Sequence, residues 1–152
     1  MGFNTVQMKQ AGRANWMVVV ATLGAIAILG IAFLSGESAT SVAGRFMEAL
    51  GKGDVNKLTE LSYMDGNTPE EIKKKWEYTT TVPGKYYRFK WQLLNETQPA
   101  PDEAIVRLWV WRDFNSGGSY EENFQITLVK KEGKWKVDVL GLNRLMYPGL
   151  PR

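Results

Sequence analysis

The chain has 152 residues, 19 Lys plus Arg against 16 Asp plus Glu, and no Cys or His. Zero Cys excludes disulfides, thiolate chemistry and Cys-bound zinc or iron–sulfur clusters, and zero His excludes His-based triads, His general bases and His-ligated metal or haem. A formal net charge of +3 is too small to argue for nucleic acid, and a hydrophobic fraction of 44% is that of an ordinary globular protein.

Residues 1–15, MGFNTVQMKQAGRAN, are mostly polar, with Phe3, Val6 and Met8 suited to lie along a membrane face or a neighbour. From Trp16 to Leu34 the chain reads WMVVVATLGAIAILGIAFL, 19 residues without a charge. A helix needs about 20 such residues to cross the hydrocarbon core. The stretch is therefore expected to be a single transmembrane helix. A cleaved signal peptide is the competing reading, although its apolar region is usually shorter, about 7–15 residues. Lys9 and Arg13 precede the span, and Arg45 is the first base after it. That asymmetry places the N-terminus in the cytoplasm and the larger part of the chain outside it, periplasmic or extracellular. Ala21, Gly24, Ala25 and Ala32, with Ile28 between them, share one helical face that would let another span approach closely, although small residues are common in any such span.

Residues 35–40 are a short polar tether that keeps the larger, C-terminal part of the chain near the bilayer. Residues 37–152 carry all 16 acids and every base but Lys9 and Arg13, so this part is nearly neutral and nucleic acid is not expected as a partner. Thr40 or Ser41 is the expected cap of a helix bearing Val42, Phe46, Met47 and Leu50, stopped by Gly51 and Gly53. Asp54 caps a second helix with Val55, Leu58 and Leu61. Thr68-Pro69-Glu70-Glu71 opens a third as a capping box with proline at the first helical position. Ile72, Trp76 and Tyr78 are its apolar contacts, and Lys73–Lys75 reads as its solvated face.

After Pro83-Gly84 the period changes to two. Tyr87, Phe89, Trp91 and Leu93 alternate with Arg88, Lys90 and Gln92. Residues 95–103, NETQPAPDE, are expected to loop because of Pro99 and Pro101. Strands are predicted over 104–113, over 120–130 after the NSGGS turn, and over 134–142 after Glu132-Gly133. Short turns between consecutive strands imply an antiparallel sheet, and helices followed by strands imply an α+β domain over residues 41–142. The tail, residues 143–152, carries Leu145, Met146, Tyr147 and Leu150, and is either tucked onto its own domain or docked on a partner.

The segments SVAGRFMEALGKGDVNKLTELS and EGKWKVDVL resemble the opening helices and the last strand of the nuclear transport factor 2-like superfamily, over about residues 40–142. The resemblance implies a cone of about three helices on a curved antiparallel sheet. The superfamily holds isomerases and dehydratases, ligand binders, and membrane-tethered noncatalytic domains of larger machines, so fold alone does not give function.

Catalysis in such a cone needs converging polar groups. Asp65, Asp113 and Asp138, with Tyr63, Tyr87 or Tyr120, make no tight constellation by spacing. The adjacent acid pairs Glu70-Glu71, Asp102-Glu103 and Glu121-Glu122 point apart on a helix or strand, and no phosphate loop is present. No cofactor, metal or catalytic residue is expected. The aromatic residues say more. If Val106, Leu108 and Val110 face the core, then Arg107, Trp109 and Trp111 face out, joined by Arg88, Lys90 and Lys136 from neighbouring strands. Such a face suits a protein interface. Alternatively the faces are swapped, or the cations merely cover the indoles. The expected function is that of a noncatalytic accessory subunit docking on other membrane protein subunits. The alternatives are a tethered binder of a small apolar ligand, with Trp76, Tyr87, Phe89 and Trp91 lining its cavity, and an isomerase-like enzyme.

Overall fold

Three helices precede the four longer strands, and local hydrogen bonds fix each start. Helix α1 (Ala39–Lys52) begins earlier than its cap candidates suggest. Ser38 is the N-cap, its hydroxyl accepting the Ser41 N–H at 3.1 Å. Thr40 is otherwise engaged: its N–H donates to Glu96 Oε2 at 2.9 Å and its hydroxyl to the same oxygen. Gly53 ends α1 in the left-handed conformation at φ 68°. Asp54 caps α2 (Val55–Leu61) by accepting the Lys57 N–H at 3.0 Å. In α3 (Pro69–Thr81) the Thr68 N–H donates to Glu71 Oε2 at 2.7 Å and the Glu71 N–H to Thr68 Oγ1 at 3.3 Å, a reciprocal capping box.

The computed structural model describes residues 36–112 and 120–152. The expected span at 16–34, with its packing face of Ala21, Gly24, Ala25, Ile28 and Ala32, and the NSGGS turn lie outside the described residues. Among the described residues no helix is long and apolar enough to cross a membrane.

The sheet has the order β1-β5-β4-β3-β2, from β1 (Ser62–Tyr63), β2 (Phe89–Ala100), β3 (Glu103–Arg112), β4 (Tyr120–Lys131) and β5 (Lys134–Asp138). It is mixed, not wholly antiparallel as expected: β1 pairs with β5 in parallel. Two residues are too few to show a period, which is why β1 left no signal in the sequence. The expected loop at 95–103 is also corrected. Strand β2 runs on through Ala100. Its pairing with β3 shifts between Leu93 and Glu96 and again between Thr97 and Ala100. Pro99 falls in the second irregularity of an edge strand, where a missing N–H costs no ladder bond. The last strand stops at Asp138, not Leu142; Val139 still donates to the Tyr63 carbonyl at 3.1 Å before the chain turns away. Glu132 and Gly133 both have positive φ, 52° and 76°, as a tight two-residue hairpin requires.

The inner face of the sheet carries Val106, Leu108, Val110, Phe124, Ile126, Leu128, Trp135 and Val137, all buried against α1, α2 and α3. Trp76 is fully buried, its ring edge-on to Phe46 at 5.7 Å and its N–H donating to Ser62 Oγ at 2.9 Å. The tail closes on this domain. Leu142, Met146, Tyr147 and Leu150 are buried, and Tyr147 lies edge-on to Tyr87 and Phe89 at 5.2 and 5.8 Å. Thr79 Oγ1 donates to the Gly149 carbonyl at 2.6 Å, and Arg144 donates to the carbonyls of Leu150 and Pro151.

Two glycines separate the cost of conformation from the cost of space. Gly66 has φ 72° with nothing within 4 Å of an added Cβ, whereas Gly149 has φ 66° and would place that Cβ 2.2 Å from Pro83 Cγ. Gly66→Ala is expected to cost about 1 kcal/mol, the left-handed penalty alone. Gly149→Ala is expected to cost about 3 kcal/mol, because the α3–tail contact must also open. Urea unfolding of both variants checks this, and equal costs would contradict the tail's place in the core.

Candidate protein interface

Strand β3 lies between β2 and β4, and its alternation sorts every residue. Val106, Leu108 and Val110 are buried inward; Ile105, Arg107, Trp109 and Trp111 therefore face out. The swapped-face alternative is thereby excluded. Register places Trp109 between Gln92 and Asn123, Trp111 between Lys90 and Glu121, and Arg107 beside Gln125. The two indoles meet edge to face at 5.9 Å and 83°, each half-buried. Arg107 is exposed and has no hydrogen-bond or ion-pair partner among the described residues. Opposite it on β2 falls the first pairing shift, at Leu94 and Asn95.

The other expected members are not all brought together. Lys90 lies directly across from Trp111. Arg88 sits just before β2, exposed, and donates to the Tyr87 carbonyl at 3.1 Å. Lys136 is on the same face by alternation, but two strands from β3, and its ammonium donates to the Glu60 carbonyl at the end of α2.

Of the four residues suggested as cavity lining, Trp76 is in the core, Tyr87 and Phe89 pack on Tyr147, and Trp91 packs against the core. Sequence reasoning missed an inward pair beside them: Arg112 Nη2 lies 2.6 Å from Glu122 Oε2, and Arg112 Nη1 donates to the Leu145 carbonyl at 2.6 Å. The signal was present, since Arg112 continues the Val106–Leu108–Val110 row and Glu122 the Phe124–Ile126 row. Among the catalytic candidates, Asp65 is exposed and accepts from the Tyr63 hydroxyl at 3.2 Å. Asp138 is half-buried beside Gly141. Asp113 and the Tyr120 side chain lie outside the described residues.

No family model matches the sequence, and no curated protein matches it. Solved structures do. A calcium/calmodulin-dependent protein kinase type II association domain from Thiobacillus denitrificans is 10% identical, with a TM-score of 0.52 over 67% of this chain and 90% of that one. A protein with a cystatin-like fold from Caulobacter vibrioides is 14% identical, with a TM-score of 0.50 over 64% and 80%. An NTF2-like transpeptidase from Campylobacter jejuni is 19% identical, with a TM-score of 0.46 over 66% and 97%. The chain shares its fold with the first two of these. At these identities the likeness is one of fold alone. In this domain Tyr147 stands between α3 and the start of β2, and its hydroxyl donates to the Gly84 carbonyl at 3.4 Å.

Burial pushes the Tyr147 phenol above its ordinary value near 10, with Arg88 pulling weakly the other way. A raised folded pKa makes the neutral phenol a stabilising group below about pH 10, and that contribution is lost as pH rises through the folded value. The unfolding midpoint should therefore fall between about pH 9 and 11. Tyr147→Phe should flatten part of that fall in a thermal melt series, and an unchanged slope would place the phenol in solvent.

Proposed function

We propose that this chain is a noncatalytic accessory subunit whose nuclear transport factor 2-like domain docks on a neighbouring protein through the outer face of β3. The observation that carries this is the pair of half-buried indoles, Trp109 and Trp111, on the solvent side of the sheet beside an unpaired Arg107. Trp and Arg are the residues that dominate binding energy at interfaces, because each combines large contact area with a polar handle. The apolar stretch Trp16–Leu34 supports a membrane tether, and with it a partner within a larger membrane assembly.

The competing readings draw less support. A ligand carrier needs free volume within the cone, but Tyr147 and Met146 pack into its mouth. An isomerase-like enzyme needs a buried carboxylate with a raised pKa. The carboxyls displaced from their ordinary value here, Glu48, Glu60 and Glu71, are held below it at the surface by Lys52, Lys57 and the Thr68 N–H respectively.

Trp109→Ala combined with Trp111→Ala tests the reading. Loss of two interface anchors of about 2 kcal/mol each reduces affinity by roughly a thousandfold. The full chain, purified in mild detergent with a C-terminal tag, should carry a stoichiometric set of membrane proteins that the double variant loses while keeping its unfolding midpoint. An unchanged set, or a lone chain carrying a small molecule, would overturn it.

A further inference from the structure

Strand β5 ends at Asp138, so the upper half of β4 has no strand beside it. The chain returning at Gly141–Asn143 leaves a groove there of about 470 Å³, lined by Arg107, Asn123, Gln125, Thr127 and Asn143 together with Phe124 and Gly141. The groove opens on the outward face of the sheet, next to Trp109. We propose that it is a carboxylate-binding subsite of the docking face, and that it receives an Asp or Glu side chain of the partner protein whose apolar neighbour lies on Trp109. The proposal rests on the docking reading of this same face.

Three observations support it. First, the lining holds one charge, the Arg107 guanidinium, together with three side-chain amides and a hydroxyl, and no acid. A guanidinium offers a planar fork of donors that fits a carboxylate, and neutral amides add donors without competing for it. Second, the domain's other internal arginines are engaged: Arg45 with Glu37, Arg112 with Glu122, Arg144 with two carbonyls and Arg88 with one. Arg107 keeps its fork open. Third, acids on this face stand at its margins. Glu103 begins the outward row of β3, Glu121 lies across from Trp111, and Asp138, next along β5 from the Leu128–Val137 pair, lies against Gly141 at the edge of the groove without lining it. Arg107 is thus the one charged side chain lining the groove, and a carboxylate is the ligand that its fork fits.

The test uses the full chain, labelled with ¹⁵N, in mild detergent. Its six tryptophans give six indole N–H signals, and Trp109→Phe and Trp111→Phe assign the two that matter. Two probes are titrated: acetyl-Leu-Glu-Leu-amide and the same peptide with Gln in place of Glu. The Glu peptide should shift the Trp109 and Trp111 signals and bind at least about tenfold more tightly than the Gln peptide, since the charge-assisted pair is lost in the latter. Arg107→Gln, at an exposed position, should erase that difference, and Arg107→Lys should keep part of it. Equal binding of the two peptides, or a preference for Glu that survives Arg107→Gln, overturns the subsite and leaves the docking reading standing. No indole shift with either peptide overturns the subsite as well. The docking reading itself then stands or falls on the double tryptophan variant.

Discussion

The two-residue period of β3 is the constraint on which the remainder of this structure depends. One register of one strand puts Val106, Leu108 and Val110 into the core and Arg107, Trp109 and Trp111 outside it. A slip of one residue would reverse both sets, burying a guanidinium and two indoles and exposing three aliphatic side chains. The helices enforce the observed choice. Phe46, Met47 and Leu50 of α1 are buried against that inner face, and burying such side chains favours folding by about 1.5–3 kcal/mol each. The face left for solvent is thus a by-product of core formation, yet it holds residue types that suit an interface.

Irregularities in the neighbouring strands then shape that face. The pairing shift after Leu93 turns Glu96 inward, where its carboxylate receives the Thr40 N–H and hydroxyl at the start of α1. The same shift places two β2 residues opposite Arg107 and so interrupts the regular ladder beside it. On the other side, the early end of β5 uncovers β4 and frees the chain to cross the end of the sheet. That crossing brings Met146 and Tyr147 into the core, with Arg112, Thr79 and Arg144 fixing backbone carbonyls of the tail. The burial of the tail and the uncovering of β4 have a common cause in strand length.

The sequence was most legible where local chemistry decides. The Thr68–Glu71 capping box, the Gly53 stop and the Asp54 cap lie where residue types alone place them. The inward faces of β3, β4 and β5 follow from alternation. Elements that depend on partners far along the chain were not legible. Ser38 caps α1 because Thr40 is drawn to Glu96, 56 residues away. Strand β1 exists because β5 offers a free edge, and Pro99 is tolerated because β2 is the edge of the sheet. Of the site, Arg107, Trp109 and Trp111 were readable as one row, and register adds Lys90 across from Trp111. Lys136 shares that face by alternation, but alternation says nothing of strand order, and β5 lies two strands from β3. Residue spacing could not show whether the tail would seal the cone or leave it open.

The central claim is that the working surface is the outside of the sheet, not the inside of the cone. Photo-crosslinking in intact cells tests it most directly, with a benzophenone side chain placed at Asn123, directly across from Trp109, and separately at Lys74 on the solvated face of α3. The account predicts one discrete crosslinked protein from position 123 and none from position 74. Crosslinking from 74 alone, or from neither position, would contradict it.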